Sequence, residues 1–444
     1  MESDTNTKDK RKFVINNVIN NSMIQAQSKK LSELKPFVEY ASKNKNVILE
    51  SVKKYGTPQY LLDEKLFLEN LNNLKSNFKK TIPKSRLFYA FKSNDLPYIL
   101  TLLKNNDVNA DVSCMFEIQL ALKLGFKNII YTAPYKSDDE IRLAIKNDVV
   151  LNIDNNDELQ KIILICQKDN INAKVSFRIR NVGKSWIKFG VDIDSFVDMA
   201  KKTMKNPRLT WVGVHFHSSW NVDSQLYESN LKMVSLCLKN NFTHKELSDL
   251  KFIDIGGGLM PFESISINED FKMPSNIKKF AENIGKAIKN LIIDKLDIDP
   301  EIWLEPGRMI CSTSTMILLK IDSIKNNEFI TDGGINMLGD SVFDEEYYPV
   351  MNISKPSSKL NKGKINGPLC DPADHWGTWY FGEELKQGDI VAVLNQGAYT
   401  FSTAWRWQRP IAKYVSMNTS NGKSSLKLVK SEETFEERYS GCRF

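Results

Sequence analysis

Lys92 closes an apolar, aromatic run, "RLFYAFK" (residues 86–92), and an amine at the end of a strand buried on both faces calls for a chemical reason. Other residues that fit poorly as core recur at or near the ends of later apolar runs. Asp111 lies in "ADVS", Arg178 in "AKVSFRIR" and His217 at the end of "LTWVGVHFH"; Gly256, Gly257 and Gly258 follow "FIDI", and Glu305 lies in "EIWLEPG". Each has an ordinary reading. Lys92 could be a surface amine with its stem on apolar neighbours, His217 a satisfied core histidine, and Glu305 a carboxylate capping the helix after "PGR". Together they suit one cofactor. Pyridoxal phosphate needs a lysine to hold its aldehyde as a Schiff base and a carboxylate to keep its ring nitrogen protonated. It also needs backbone amides close to its phosphate, which glycine permits, and a flat group against its ring. Lys92, Glu305, Gly256–Gly258 and His217 can fill those roles.

The elements that must position these residues alternate. Eight strand candidates, "RLFYAFK", "ADVS", "NIIYTA", "VVLNID", "AKVSFRIR", "LTWVGVHFH", "FIDIGG" and "EIWLEPG", are separated by helical patterns such as "MFEIQLALKLG", "SDDEIRLAIKN" and "NDELQKIILICQ". The pattern predicts an α/β chain with a (β/α)8, TIM-like barrel over residues 66–308. A doubly wound sheet shares the alternation, but no G-x-G-x-x-G opens the first helix. In the barrel, strand C-termini build the active-site face, which is where the unusual residues fall. From residue 309 to 444 strands and turns replace the helices, predicting a mostly β second domain joined by a strand-like segment over 51–65. Residues 1–50 are expected to form an N-terminal, helical extension around "SELKPFVEYASKN".

Composition narrows the function classes. The 444 residues are 41% hydrophobic and 26% charged, values of a globular protein. No apolar run approaches the roughly 20 residues that span a bilayer, and the polar "MESDTNTKDKRKF" start leads us to expect a cytoplasmic protein without membrane contact. The net charge of +7 is spread thinly over lysine- and asparagine-rich segments, so no nucleic-acid partner is expected. The six cysteines form no C-x-x-C pair and no histidine cluster has ligand spacing, so no metal is expected either. Only Cys370, in "GPLCDPADHW", sits among turn residues and carboxylates.

These motifs, in this order, resemble the fold-type III pyridoxal-phosphate decarboxylases: ornithine, arginine and diaminopimelate decarboxylases. The resemblance runs from "YGTPQYLLD" to "QRPIAKYV" and rests on "YAFKSN", "ADVSCMFEIQLAL", "IIYTAPYK", "FIDIGGG", "EPGR", "GPLCDPAD" and "QGAYT". It implies that Lys92 holds the cofactor, His217 stacks on its ring and Glu305 binds the ring nitrogen. Gly257, Gly258, Gly307, Arg308 and Tyr399 would surround the phosphate, with Asp111, Arg178 and Ser219 completing the cofactor-facing set. Cys370 would reach in from a second subunit and return a proton to the substrate carbon after CO2 leaves. Asp332 and Asp371 would hold a distal substrate group. A homodimer with shared active sites is implied, with Asp374 and Lys188 matching an inter-subunit charge pair.

The resemblance also implies decarboxylation of a small amino-acid substrate, expected to be a basic diamino acid of the ornithine or lysine type. Several segments depart from the pattern. "HSSWN" replaces the usual glycine after the histidine, bringing Ser218, Ser219 and Trp220 to the pocket. "MLGDSVFDEEYYP" lacks the arginine with which the diaminopimelate branch holds a second carboxylate. "FSTAWRWQRP" sets Arg406 between two tryptophans, as a substrate handle or a packed surface cluster. Because of these departures a siderophore or other secondary-metabolite intermediate is the alternative substrate. A non-catalytic regulatory relative is a weaker alternative, since Lys92 and Cys370 are both present.

Overall fold

A computed structural model describes residues 31–182, 187–219, 221, 223–260, 276–326, 328–342, 349–420 and 423–443. The expectations for residues 1–30 and for Trp220 lie outside the described residues. The chain divides into two compact units; the described residues 71–260 and 276–309 form one, and 31–70 and 310–443 the other.

The first unit is a closed barrel. β2 (Ser85–Ala90), β3 (Asn109–Val112), β4 (Ile129–Thr132), β5 (Val150–Ile153), β6 (Ala173–Arg178), β7 (Leu209–His215), β8 (Phe252–Asp254) and β9 (Glu301–Leu304) pair in sequence order, numbering from the β1 strand given below. Every pairing is parallel, and β9 closes on β2 through Ser85 opposite Ile302. This is the (β/α)8 barrel that the alternation predicts. The intervening helices carry their own start and stop signals. Ser137 and Glu140 form a capping box on helix Asp138–Lys146, and Gly125, at φ +79°, ends helix Met115–Leu124.

An aromatic layer fills the barrel. The rings of Phe252 and Trp303 stack at 3.5 Å with 6° between planes, and Phe88 lies 4.0 Å from Trp303. Gly213 makes room for them, since a Cβ there would sit 2.4 Å from the Phe252 ring. Side chains alternate along a strand, so the residues two further on enter the same interior: Asp254 after Phe252 and Glu305 after Trp303. The interior changes from aromatic to charged in one two-residue step, and the charged layer is the functional one.

The second unit is built on a nine-stranded sheet. Its strands are β1 (Gln59–Asp63), β10 (Thr315–Lys325), β11 (Glu328–Thr331), β12 (Val350–Asn352), β13 (Leu360–Asn366), β14 (His375–Phe381), β15 (Ile390–Val393), β16 (Lys413–Ser420) and β17 (Lys423–Lys430). The order is β11-β13-β14-β12-β15-β10-β1-β16-β17, and a further β11–β10 pairing turns the larger part back on itself. Helix Leu31–Tyr55 packs Ala41, Val47 and Ile48 against Leu61, Leu318, Val415 and Met417 of this sheet. The N-terminal helix is thus part of the β unit's core rather than a separate extension. β13 escapes a sequence reading because two register shifts against β14 break its alternation and its residues are largely polar.

Candidate active site

Lys92 sits one turn beyond its strand. β2 ends at Ala90, and Phe91–Ser93 form a 3-10 turn closed by Ser93 Oγ donating to the Ala90 carbonyl (2.7 Å). The loop after β9 packs tightly on this turn; a Cβ on Gly307 would lie 2.6 Å from Ser93 Oγ. The turn carries Lys92 Nζ to 3.2 Å from Asp111 Oδ2, with Asp111 fully buried. Burial, and then the charge of Glu305, raise the Asp111 carboxyl to about 8 against the pull of Lys92.

Glu305 is the negative pole. It is buried, its backbone N–H donates to the Gly256 carbonyl (2.9 Å), and its Oε2 lies 3.2 Å from His215 Nε2 and 3.6 Å from His217 Nδ1. The backbone fixes the His217 tautomer. Gly257 N–H donates to His217 Nδ1 (3.1 Å), so the ring hydrogen sits on Nε2, which faces Ser219 Oγ at 3.2 Å. Burial lowers His217 to about 4 and lowers His215 too, so both imidazoles are neutral near pH 7. Burial works against a charge on Glu305 as well, but the His215 Nε2–H and the Lys92 amine hold its carboxyl well below the usual carboxylate range. Arg178, over the Phe189 ring at 4.5 Å, adds a largely desolvated cation facing Asp154, Glu305, Asp111 and Asp254.

The glycine run after β8 is shaped by contact. Gly256 and Gly258 have φ of +70° and +81°, and a Cβ on Gly257 would lie 2.1 Å from the Glu305 carbonyl oxygen. Tyr227 Oη donates to the Gly257 carbonyl (2.6 Å), pinning the loop from its other side. Ser218 is buried and donates to Asn221 Oδ1 (3.2 Å), while Ser219 is engaged with His217. The donor set fits pyridoxal phosphate: an amine beside a buried acid, an ionised carboxylate deep in the barrel, a flat neutral imidazole and a close-packed glycine turn. The ligand atoms of His215, His217 and Glu305 also lie within 4.8 Å of one another. A cation is disfavoured there by Lys92 and Arg178 and by the Gly257 hydrogen bond that occupies His217 Nδ1.

The sequence reading missed three residues of this layer. His215, two residues before His217 on the same strand face, and Asp254, an acid within the apolar "FID", are both fully buried. Glu117 accepts from the Ser113 backbone N–H (2.5 Å) and is raised to about 7 by burial, against the pull of that hydrogen bond and of Lys92. An acid or imidazole inside an otherwise apolar strand is the signal that would have found the first two.

The remaining candidates belong to the β unit. Cys370 is exposed, with its backbone N–H on Gln408 Oε1 (2.8 Å), and Asp371 Oδ1 accepts from Ala373 N–H (2.9 Å). Asp332 accepts from Thr57 Oγ1 (2.5 Å) and from Lys320 N–H (3.0 Å), so both its oxygens are engaged within the unit. Tyr399 adopts a left-handed φ of +56°. Arg406 Nε pairs with the buried Glu433 carboxylate at 2.5 Å, so its guanidinium clasps the C-terminal segment. Of the two residues matched to an inter-subunit charge pair, Asp374 is buried and accepts the backbone N–H groups of Ile335 (2.8 Å) and Leu369 (2.6 Å), while Lys188, in the barrel unit, lies 5.3 Å over the Phe189 ring.

Comparison with known proteins agrees with this chemistry. Residues 68–312 match the family described as pyridoxal-dependent decarboxylase, pyridoxal binding domain. The diaminopimelate decarboxylase of Aquifex aeolicus is 26% identical over 432 residues, covering 91% of this chain and 97% of that protein. Among solved structures, diaminopimelate decarboxylase from Helicobacter pylori complexed with L-lysine is 27% identical with a TM-score of 0.74, covering 88% of this chain and 98% of that one. Lysine decarboxylase from Selenomonas ruminantium is 25% identical with a TM-score of 0.68, covering 82% and 92%. Among the described residues no helix is long and apolar enough to cross a membrane. With an amine, an ionised carboxylate and a neutral imidazole in one barrel layer, the chain belongs to the pyridoxal-dependent decarboxylases and acts as a pyridoxal-phosphate-dependent amino-acid decarboxylase.

Proposed function

We propose that the protein removes the α-carboxylate of a basic diamino acid, of the lysine or ornithine type, to give the amine and CO2. The observation that carries this reading is that Lys92, paired with Asp111, shares one barrel layer with a deep, ionised Glu305. When bound, pyridoxal phosphate supplies an electron sink for the pair released with CO2. Lys92 would hold it through its amine. Glu305 holds a proton at the ring nitrogen through a charge-assisted hydrogen bond, and His217, neutral and oriented by Gly257 and Ser219, offers its face to the ring. Gly257, Gly258, Gly307, Arg308 and Tyr399 bind the phosphate, with Asp111 and Arg178 setting the charge around Lys92. Two copies share each site: Cys370 of a second copy returns a proton to the substrate Cα, and its Asp371 faces the distal ammonium. Asp332, which also accepts from Thr57 and Lys320, is the other carboxylate for the distal group, with acceptor capacity left.

Diaminopimelate is a second reading, supported by the full-length relatives that bear its name. The test is CO2 release from lysine, ornithine and diaminopimelate, each with wild type and Glu305→Gln. Release from lysine or ornithine that collapses in the variant is expected. Turnover of diaminopimelate alone would shift the assignment to the second reading, and no release from any of the three would overturn the proposal.

A further inference from the structure

Asp254 has no role in the reaction as described above, yet it is a fully buried acid in the functional layer. Its Oδ1 accepts the Gly256 N–H (2.8 Å), while its Oδ2 is inaccessible and lacks a hydrogen-bond partner. Glu305 on the neighbouring strand is in the complementary position. Its Oε2 is engaged by His215, and its Oε1 is buried without a partner. The strands are stitched together by Ile255 N–H on the Trp303 carbonyl (3.0 Å) and Glu305 N–H on the Gly256 carbonyl (2.9 Å). Both carboxyls therefore enter the barrel side by side. Two ionised carboxylates cannot share a dry pocket cheaply, and two orphaned oxygens there are costly as well. One proton removes both penalties.

We propose that Asp254 is a carboxylic acid in the folded protein and donates its Oδ2 hydrogen to Glu305 Oε1, as a positioning residue that keeps Glu305 ionised and aimed. The surroundings decide which partner keeps the proton. Glu305 already accepts from His215 and faces the Lys92 amine, whereas Asp254 has only the Gly256 N–H. Burial, and then the Glu305 charge, push the Asp254 carboxyl well above its ordinary range. The other groups facing the pair are Asp111 on β3, Arg178 on β6, His217 after β7 and Tyr227 on helix Gln225–Asn241. A carboxylate has about four acceptor sites, so the Asp254 hydrogen leaves room on Glu305 for a ring N–H. The consequence for catalysis rests on the proposed role of Glu305; the proton on Asp254 does not.

Infrared spectroscopy of the full-length holoenzyme, labelled with carboxyl-13C aspartate, tests the proton directly. A protonated-aspartate carbonyl band is expected near neutral pH. Its Asp111 component should fade as pH rises through about 8, and its Asp254 component should persist. Asp254→Asn should remove the persistent component. Glu305→Gln should shift its frequency, because the acceptor of the Asp254 hydrogen changes from a carboxylate to an amide. No persistent band in wild type, an undiminished one in Asp254→Asn, or an unshifted one in Glu305→Gln would overturn the proposal. Turnover gives an independent arm. Asp254→Asn keeps a donor for Glu305 and should stay within about tenfold of wild type, while Asp254→Ala should lose about 100-fold. The acid limb of the kcat profile should move to higher pH in Asp254→Ala and not in Asp254→Asn. Wild-type turnover and profile in Asp254→Ala would overturn the positioning role alone, whereas wild-type turnover in Glu305→Gln would overturn the reading of Glu305.

Discussion

Glu305 and His217 show how burial selects charge states within one small volume. The carboxylate keeps its charge because His215 donates to it and Lys92 faces it, while the imidazole stays neutral because burial disfavours its charge, with Gly257 N–H on its Nδ1. Glu305→Gln should retain the cofactor and lose turnover by about 100- to 1,000-fold, roughly 3–4 kcal/mol of transition-state stabilisation. Steady-state kinetics beside a cofactor absorbance spectrum checks this, and near-normal turnover would contradict it. His217 also leaves a mark on stability. Between about pH 4, where the folded imidazole takes its proton, and about pH 6.5, where an unfolded one does, the unfolded chain binds the extra proton. Stability should therefore fall as pH falls through that window, by up to about 1.4 kcal/mol per pH unit from this residue. Denaturant midpoints at pH 5 and pH 7 should differ less in His217→Asn than in wild type; an equal gap would rule this out. Lys92, Asp111, His217 and Glu305 were legible in the sequence because each interrupts or ends an apolar run. His215 and Asp254 were not singled out, since each reads as one polar residue within a strand.

At the scale of elements, the site exists because the barrel interior is filled up to it. Phe252 and Trp303 occupy the space beneath Asp254 and Glu305, and Gly213 supplies the clearance that Phe252 needs. Gly213→Ala should overpack this layer and cost about 1–3 kcal/mol, read as a lower denaturant midpoint with an unchanged slope. A wild-type midpoint would mean that the layer relaxes freely. Continuous apolar runs made all eight barrel strands readable, but their ends were overextended. "LTWVGVHFH" stops as a strand at His215, and "RLFYAFK" stops at Ala90, because the residues beyond turn to build the site. In the β unit, β12, β13, β14 and β17 were not recognised. β12 is only three residues long, β13 and β17 are largely polar, and β14, though aromatic, pairs with β13 through register shifts.

For the whole molecule, the proposed sharing of sites makes a prediction that neither unit makes alone. Lys92→Ala and Cys370→Ala should each be inactive, and mixing them with complete subunit exchange should restore about a quarter of wild-type activity, since about half of the dimers are mixed and each has one intact site of two. Mixed dimers with only the parental activity would place Cys370 outside the partner's site. The two-part organisation was visible in the shift from alternating helices and strands to strands and turns near residue 310. The membership of helix Leu31–Tyr55 in the β unit was not, because an amphipathic helix does not say which apolar surface will cover it. The central claim is that Lys92 anchors pyridoxal phosphate, and borohydride reduction of the holoenzyme followed by peptide mapping tests it most directly. The account predicts a single cofactor-bearing peptide containing Lys92, and none in Lys92→Ala; cofactor fixed to another lysine, or retained after reduction in Lys92→Ala, would contradict it.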